Sequence, residues 1–234
     1  MFWQYLKRII LTSVIQFIAY SGICQEIRSV TVAATGTSDT CSSQHRFIVN
    51  WENEAMPAEL DRTTIRFSYE LIHEIISRAM SIRMQILSAD PNSPVSDAEF
   101  SFHSGQPTDV ITAKITVRGN DTEKSLRTLL AEIDRILNHG FTGDEIQRTK
   151  YEILEERRIA SDSVPPVRSE YRLELTERTL PLLDDETINQ AAAMAISAEN
   201  MTITHIRPAE IKSDKKSGKQ KKSRKKQLTS QYGN

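Results

Sequence analysis

Apolar residues change their spacing several times along this chain, and each change marks an element. Residues 46–52 (RFIVNWE) alternate, with Phe47, Val49 and Trp51 on one face, as a half-buried strand requires. Residues 59–87 switch to helical spacing. Ile65, Tyr69, Ile72, Ile76 and Met80 make one stripe, and Phe67, Leu71 and Ile75 widen it. A helix apolar around so much of its circumference is buried on several sides, within its own domain or against a further unit. Residues 90–97 (DPNSPVSD) break the helix with Pro91 and Pro94, and Ala98, Phe100 and Phe102 then alternate with polar neighbours as a strand does.

The clearest segment is VITAKITVRG, residues 110–119. Ile111, Ala113, Ile115 and Val117 face one way and Thr112, Lys114, Thr116 and Arg118 the other, which predicts a strand with one wet face. After Asn120-Asp121, Leu126, Leu129, Leu130, Ile133, Ile136 and Leu137 recur every three or four residues and predict a helix with one face on a core. Gly140 suits a left-handed helix stop, and Thr142 with Glu145 forms the T-x-x-E capping box of a next helix, charged and surface-lying, that runs to about Ser161. Val164-Pro165-Pro166 ends it, and residues 167–180 are helical again. Asp184 or Asp185 caps a last helix whose Ile188, Ala191, Ala192, Ala195 and Ile196 share a face, and residues 200–207 close the pattern as a strand. The order implies an α+β domain of two layers, a mostly antiparallel sheet covered by helices on one face. No internal repeat is visible.

Composition fits that reading and adds its two ends. The chain has 234 residues, 38% hydrophobic and 26% charged, as in a soluble globular protein and unlike a membrane bundle or a disordered chain. The net charge of -1 hides a split: residues 212–226 hold nine basic residues and one acid, +8 together, so the remainder carries -9. This block has no apolar face, so a basic disordered tail is expected over 211–234, suited to an anionic surface or simply solubilising. At the other end, Lys7 and Arg8 precede a mostly apolar run, Ile9 to Ile23, and polar sequence starts at Gln25. That is the form of a signal peptide or N-terminal anchor over 1–24, with Ile23 arguing against a lipoprotein at Cys24. Residues 25–45 read as a linker, leaving 46–210 as the domain. Cys24 and Cys41 are the only cysteines, too few for a disulfide framework.

One stretch is specific enough to suggest a family. Residues 129–156, LLAEIDRILNHGFTGDEIQRTKYEILEE, resemble the helix-turn-helix signature of the insulinase/pitrilysin zinc peptidases, in which a helix ends in a Gly-Phe-Thr turn and a Glu-rich helix follows. ITAKITVRG, IHEIISRAMSIRMQIL and the closing TLPLLDDETINQAAAMAISAEN-MTITHIRP resemble other family segments in the family's order, so the resemblance covers roughly residues 46–208. It implies the second, zinc-free kind of unit, the non-catalytic domain of such a peptidase. Such units work beside a zinc-bearing unit, and paired halves enclose a substrate chamber.

The family's zinc helix carries H-x-x-E-H, two imidazoles one turn apart with a Glu as base. The histidines here are His45, His73, His103, His139 and His205, and the smallest gap between neighbours is 28 residues. HEIIS at His73 begins like H-E-x-x-H but has Ser77 in place of the second His, so His73 is read as a polar helix-face residue. There is no G-x-S-x-G elbow and no glycine-rich phosphate loop, and Cys41 reads as a plain thiol. Asp144 to Arg158 mixes both charges, as a solvated helix face does. The sequence thus nominates no catalytic residue, no cofactor-binding residue and no metal ligand, and no enzyme activity of the chain alone. The expected partners are a zinc-bearing peptidase subunit, a peptide substrate, and an anionic envelope surface through the tail. For an exported chain nucleic acid is the less favoured surface. The competing readings are a non-enzymatic envelope binding module and a fragment of a larger zinc peptidase.

Overall fold

The alternation around Trp51 becomes strand β1 (Arg46–Glu54), and the periods that follow become the rest of the fold. The structure is a computed structural model that describes residues 44–208, apart from 61–62, 106 and 164–165. Cys24, Cys41, the expected signal peptide or anchor over 1–24 and the expected disordered tail over 211–234 lie outside the described residues.

The other strands are β2 (Val95–His103), β3 (Thr108–Val117) and β4 (Met201–Ile206). They form one sheet in the order β2-β3-β1-β4, with every neighbouring pair antiparallel. Register puts the apolar residues in ladders: Phe47 faces Ile115, Val49 faces Ala113 and Ile203, Trp51 faces Ile111, and Phe100 faces Ala113. Opposed side chains share a face, so this side of the sheet is a continuous apolar floor. A bulge between Val95 and Asp97 shifts the register of β2 so that both Val95 and Phe100 are buried.

The helices are α1 (Thr64–Ala89), α2 (Thr122–His139), α3 (Gly143–Ser163), α4 (Pro166–Thr179) and α5 (Asp185–Ala195). Helix α1 packs on β2 and α2 on β3, α3 and α5 pack against α1, and α4 packs against α3, which bears out the α+β expectation. The stripe on α1 packs inside the domain: Leu71, Ile72, Ile75, Ile76, Ala79, Met80 and Met84 are buried in the same cluster as Trp51, Ile115, Leu129 and Ile188. Helix α1 starts at Thr64, later than the expected residue 59. Thr63 caps it, accepting from the Arg66 N–H at 3.3 Å while donating to the Leu60 carbonyl at 2.7 Å, and Ala58–Leu60 is a separate 3-10 turn. Asp184 is the cap of α5, accepting from the Thr187 N–H at 2.9 Å.

The turn between α2 and α3 is tighter than a helix stop. Gly140 has φ 69° and ψ -168°, a positive φ with an extended ψ, so it is not the left-handed residue expected from sequence. Its N–H closes α2 on the Ile136 carbonyl at 2.8 Å, and the extended ψ sends the chain straight into the next cap. There Thr142 and Glu145 form the predicted box: the Glu145 N–H donates to the Thr142 hydroxyl at 3.3 Å, and the Thr142 N–H to the Glu145 carboxylate at 2.8 Å.

Candidate functional site

Helix α1 holds the histidine closest in form to a metal motif. A zinc helix needs a second imidazole one turn from the first, but Tyr69 and Glu70 precede His73 at that distance and Ile76 and Ser77 follow it. The His73 ring is stacked on Phe102 at 4.3 Å and 9°, and meets Tyr69 edge-on at 4.3 Å. At 5% exposure it is a core side chain and not the polar helix-face residue expected from sequence. The reason is position, because it lies between Tyr69, Ile72 and Ile76 on the buried side. These residues do not fit a zinc ion. Among the described residues no three His, Cys, Asp or Glu side chains are grouped to hold a metal, and no helix is long and apolar enough to cross a membrane.

Beneath His73 is a buried polar corner. Asp109 is fully buried and accepts the Tyr69 hydroxyl at 2.7 Å and the Gly105 N–H at 3.0 Å. Burial, reinforced by the Asp109 charge, raises the Tyr69 phenol far above its ordinary value. Burial also pushes His73 down to about 4, against the pull of Asp109 and with the push of Arg66. The Tyr69 hydroxyl and the Gly105 N–H both donate to Asp109, and the His73 ring packs edge-on to Tyr69 above them. The corner ties α1 to the β2–β3 hairpin.

This has a pH consequence. His73 has a folded pKa of about 4 against 6.5 when free, so the unfolded chain binds its proton more readily. Its contribution is complete above about pH 6.5 and is lost as pH falls towards 4, by up to about 3 kcal/mol. Urea unfolding at pH 7.5, 5.5 and 4.5 should show that decline in the native chain and a flatter one in His73→Phe. Equal slopes would exclude His73 as the cause.

Three helices meet at Arg83. Its guanidinium forks onto Glu145 of α3, with both contacts at 2.7 Å, reaches Glu132 of α2 at 3.0 Å, and lies 5.3 Å from the Phe141 ring centroid. The Arg83 hydrogen bond is the first cause holding the Glu145 carboxyl down at about 2, with the Thr142 cap assisting. Farther along, Arg78 pairs with Glu156 at 2.5 Å and Arg157 with Glu74 at 2.7 Å. The charged helix is therefore not only a solvated face. Ile146, Thr149, Lys150 and Ile153 are buried, and several of its charges are committed to α1. Lys150 donates to the Leu183 carbonyl, and burial pulls its pKa down. It lines an open groove of about 790 Å³ with Tyr151, Leu154, Leu180, Asp184 and Asp185.

The remaining histidines divide unevenly. His103 and His139 are exposed and apart. His45 and His205, the two most distant in sequence, are brought together: Nδ1 of His45 lies 3.1 Å from Nε2 of His205, and His205 stacks on Phe47 at 4.4 Å. Sequence reasoning missed this pair, Asp109 and Arg83. Asp109 had a readable signal, since it falls two before Ile111 on the inward parity of its strand. The other two depend on contacts between distant segments.

No protein-family model matches the sequence, and no curated protein matches it either. Solved structures do. The periplasmic protease PqqL from Escherichia coli matches with a TM-score of 0.61 and 13% identity, over 74% of this chain and 21% of that one. The first half of the same protease matches with a TM-score of 0.60 and 12% identity, over 74% and 41%. The inactive domain of an M16 peptidase from Pseudomonas fluorescens matches with a TM-score of 0.54 and 14% identity, over 72% and 41%. At these identities the likeness is one of fold. The chain spans about a fifth of whole PqqL and about two fifths of each shorter structure.

Proposed function

We propose that this chain, which has the fold of one insulinase-type peptidase unit, is an exported, catalytically silent partner of a zinc-bearing subunit. The partner supplies the chemistry, while this chain closes the chamber and helps hold the peptide. The observation that carries the reading is that fold joined to a helix α1 offering one imidazole, stacked and 5% exposed. The proportions support it: the chain matches about two fifths of the first half of PqqL, so that structure extends well beyond the part matched here. Export draws support from Lys7-Arg8 and the apolar run after them, and from PqqL being a periplasmic protease.

The test is peptidase activity of the purified chain, alone and mixed with an H-x-x-E-H protein encoded beside it. The expected result is no activity alone, and chelator-sensitive activity together with co-elution on mixing. Chelator-sensitive cleavage by the chain alone would overturn the reading.

The nine basic residues of 212–226 favour one other reading, an envelope module held on an anionic surface by its tail. Truncation after Pro208 should then release the chain from vesicles rich in anionic lipid and leave its folding unchanged. Retained binding would remove the tail from consideration.

A further inference from the structure

We propose that His45 and His205 form a binding site for a late first-row transition ion, copper(II) foremost, that clasps the start of β1 to the end of β4. The two ring nitrogens, 3.1 Å apart, come from residues 160 apart in sequence. Metal–imidazole bonds run about 2.0–2.1 Å, so two of them meeting at one ion at about 100° span the same 3.1 Å. The ion takes the place of the hydrogen bond between the two rings, each nitrogen lending it a lone pair.

The backbone holds the donors in place. Phe47 faces His205 across the β1–β4 ladder, and the Val117 N–H donates to the His45 carbonyl at 2.9 Å, extending the β1–β3 pairing to His45. Both histidines therefore sit on the helix-covered side of the sheet at one end. The His205 ring is further fixed by its stack on Phe47, with the planes 18° apart. Imidazole donors select copper, nickel and zinc, and copper(II) binds most tightly in that series. Water fills the remaining positions, so the site is open.

The experiment titrates the full chain, free of any histidine tag, with copper(II), nickel(II) and zinc(II) chlorides. Cys24→Ser and Cys41→Ser remove thiol binding. One copper(II) per chain is expected, with nitrogen hyperfine structure in the electron paramagnetic resonance spectrum and a raised unfolding midpoint. Removing one donor converts a chelate into a single contact, so His45→Ala should weaken binding about a hundredfold. His205→Phe keeps the stack on Phe47, should fold normally, and should lose binding to the same degree. His139→Ala should change nothing. Copper binding that persists in folded His205→Phe, or no binding by the parent chain, would overturn the proposal.

Discussion

Gly140→Ala should destabilise the domain by about 3–5 kcal/mol, far beyond an ordinary turn substitution. Two effects add. With φ 69° and ψ -168°, Gly140 lies in a region that side chains essentially do not enter, at a cost of about 1–3 kcal/mol. A Cβ there would also lie 2.5 Å from Cγ of Asn189. Asn189 cannot step aside freely, because its Oδ1 accepts the Phe141 N–H at 2.7 Å and its Nδ2 donates to the Phe141 carbonyl at 3.1 Å. Moving it gives up both bonds, about 1 kcal/mol each. Gly119→Ala is the internal control, since Gly119 also has a positive φ, 76°, but its Cβ would meet nothing within 4 Å. Denaturant unfolding should place that control near about 1 kcal/mol. Equal costs at the two glycines would mean that Asn189 does not hold the turn.

Arg83→Met should cost about 3 kcal/mol, because it removes one partner of a network and leaves the others in place. The Arg83 and Glu132 side chains are only 12% and 11% exposed, so Glu132 would remain as a nearly buried carboxylate. Its contact with Arg135 at 3.0 Å compensates in part, and Glu145 keeps its cap contacts with Thr142. Arg83→Lys should recover little, since an ammonium cannot fork onto Glu145 and reach Glu132 together. Acid adds a signature. The depressed Glu145 pKa gives stability that is present above about pH 4.5 and lost as pH falls towards 2. That part of the acid profile should flatten in Arg83→Met. An unchanged profile would assign it to other carboxylates.

Much of the fold could be read from periodicity because its elements each bury one side. The strand around Ile111 to Val117 and the helix around Leu129 to Ile136 are amphipathic in the simplest sense, and the T-x-x-E box at Thr142 closes as predicted. The start of α1 was read early because the residues before Thr63 are compatible with a helix, and the Thr63 cap decides otherwise. Gly140 departs from the expected left-handed stop because a positive φ leaves ψ open, and its extended ψ brings Phe141 onto the Asn189 side chain, a contact between segments 48 residues apart. His73 is buried because its phase matches Tyr69 and Ile76, although a histidine by type suits the polar face. Arg83 and the His45–His205 pair had no sequence signal. Their meaning lies in partners at least 49 residues away.

The seam between β1 and β4 sets how the domain answers to force. Arg46 pairs with Ile206, so the chain enters and leaves at the same end of two antiparallel strands. A pull on its two flanking segments would load the backbone bonds of that seam one after another, as a zipper is drawn, instead of all at once. Among the described residues β4 is an edge strand hydrogen-bonded to β1 alone, so it would peel away first while β1, β2 and β3 stayed paired. Tension applied through the segments that flank β1 and β4 would therefore open the domain from this edge, and the first contact to feel it would be the one between His45 and His205.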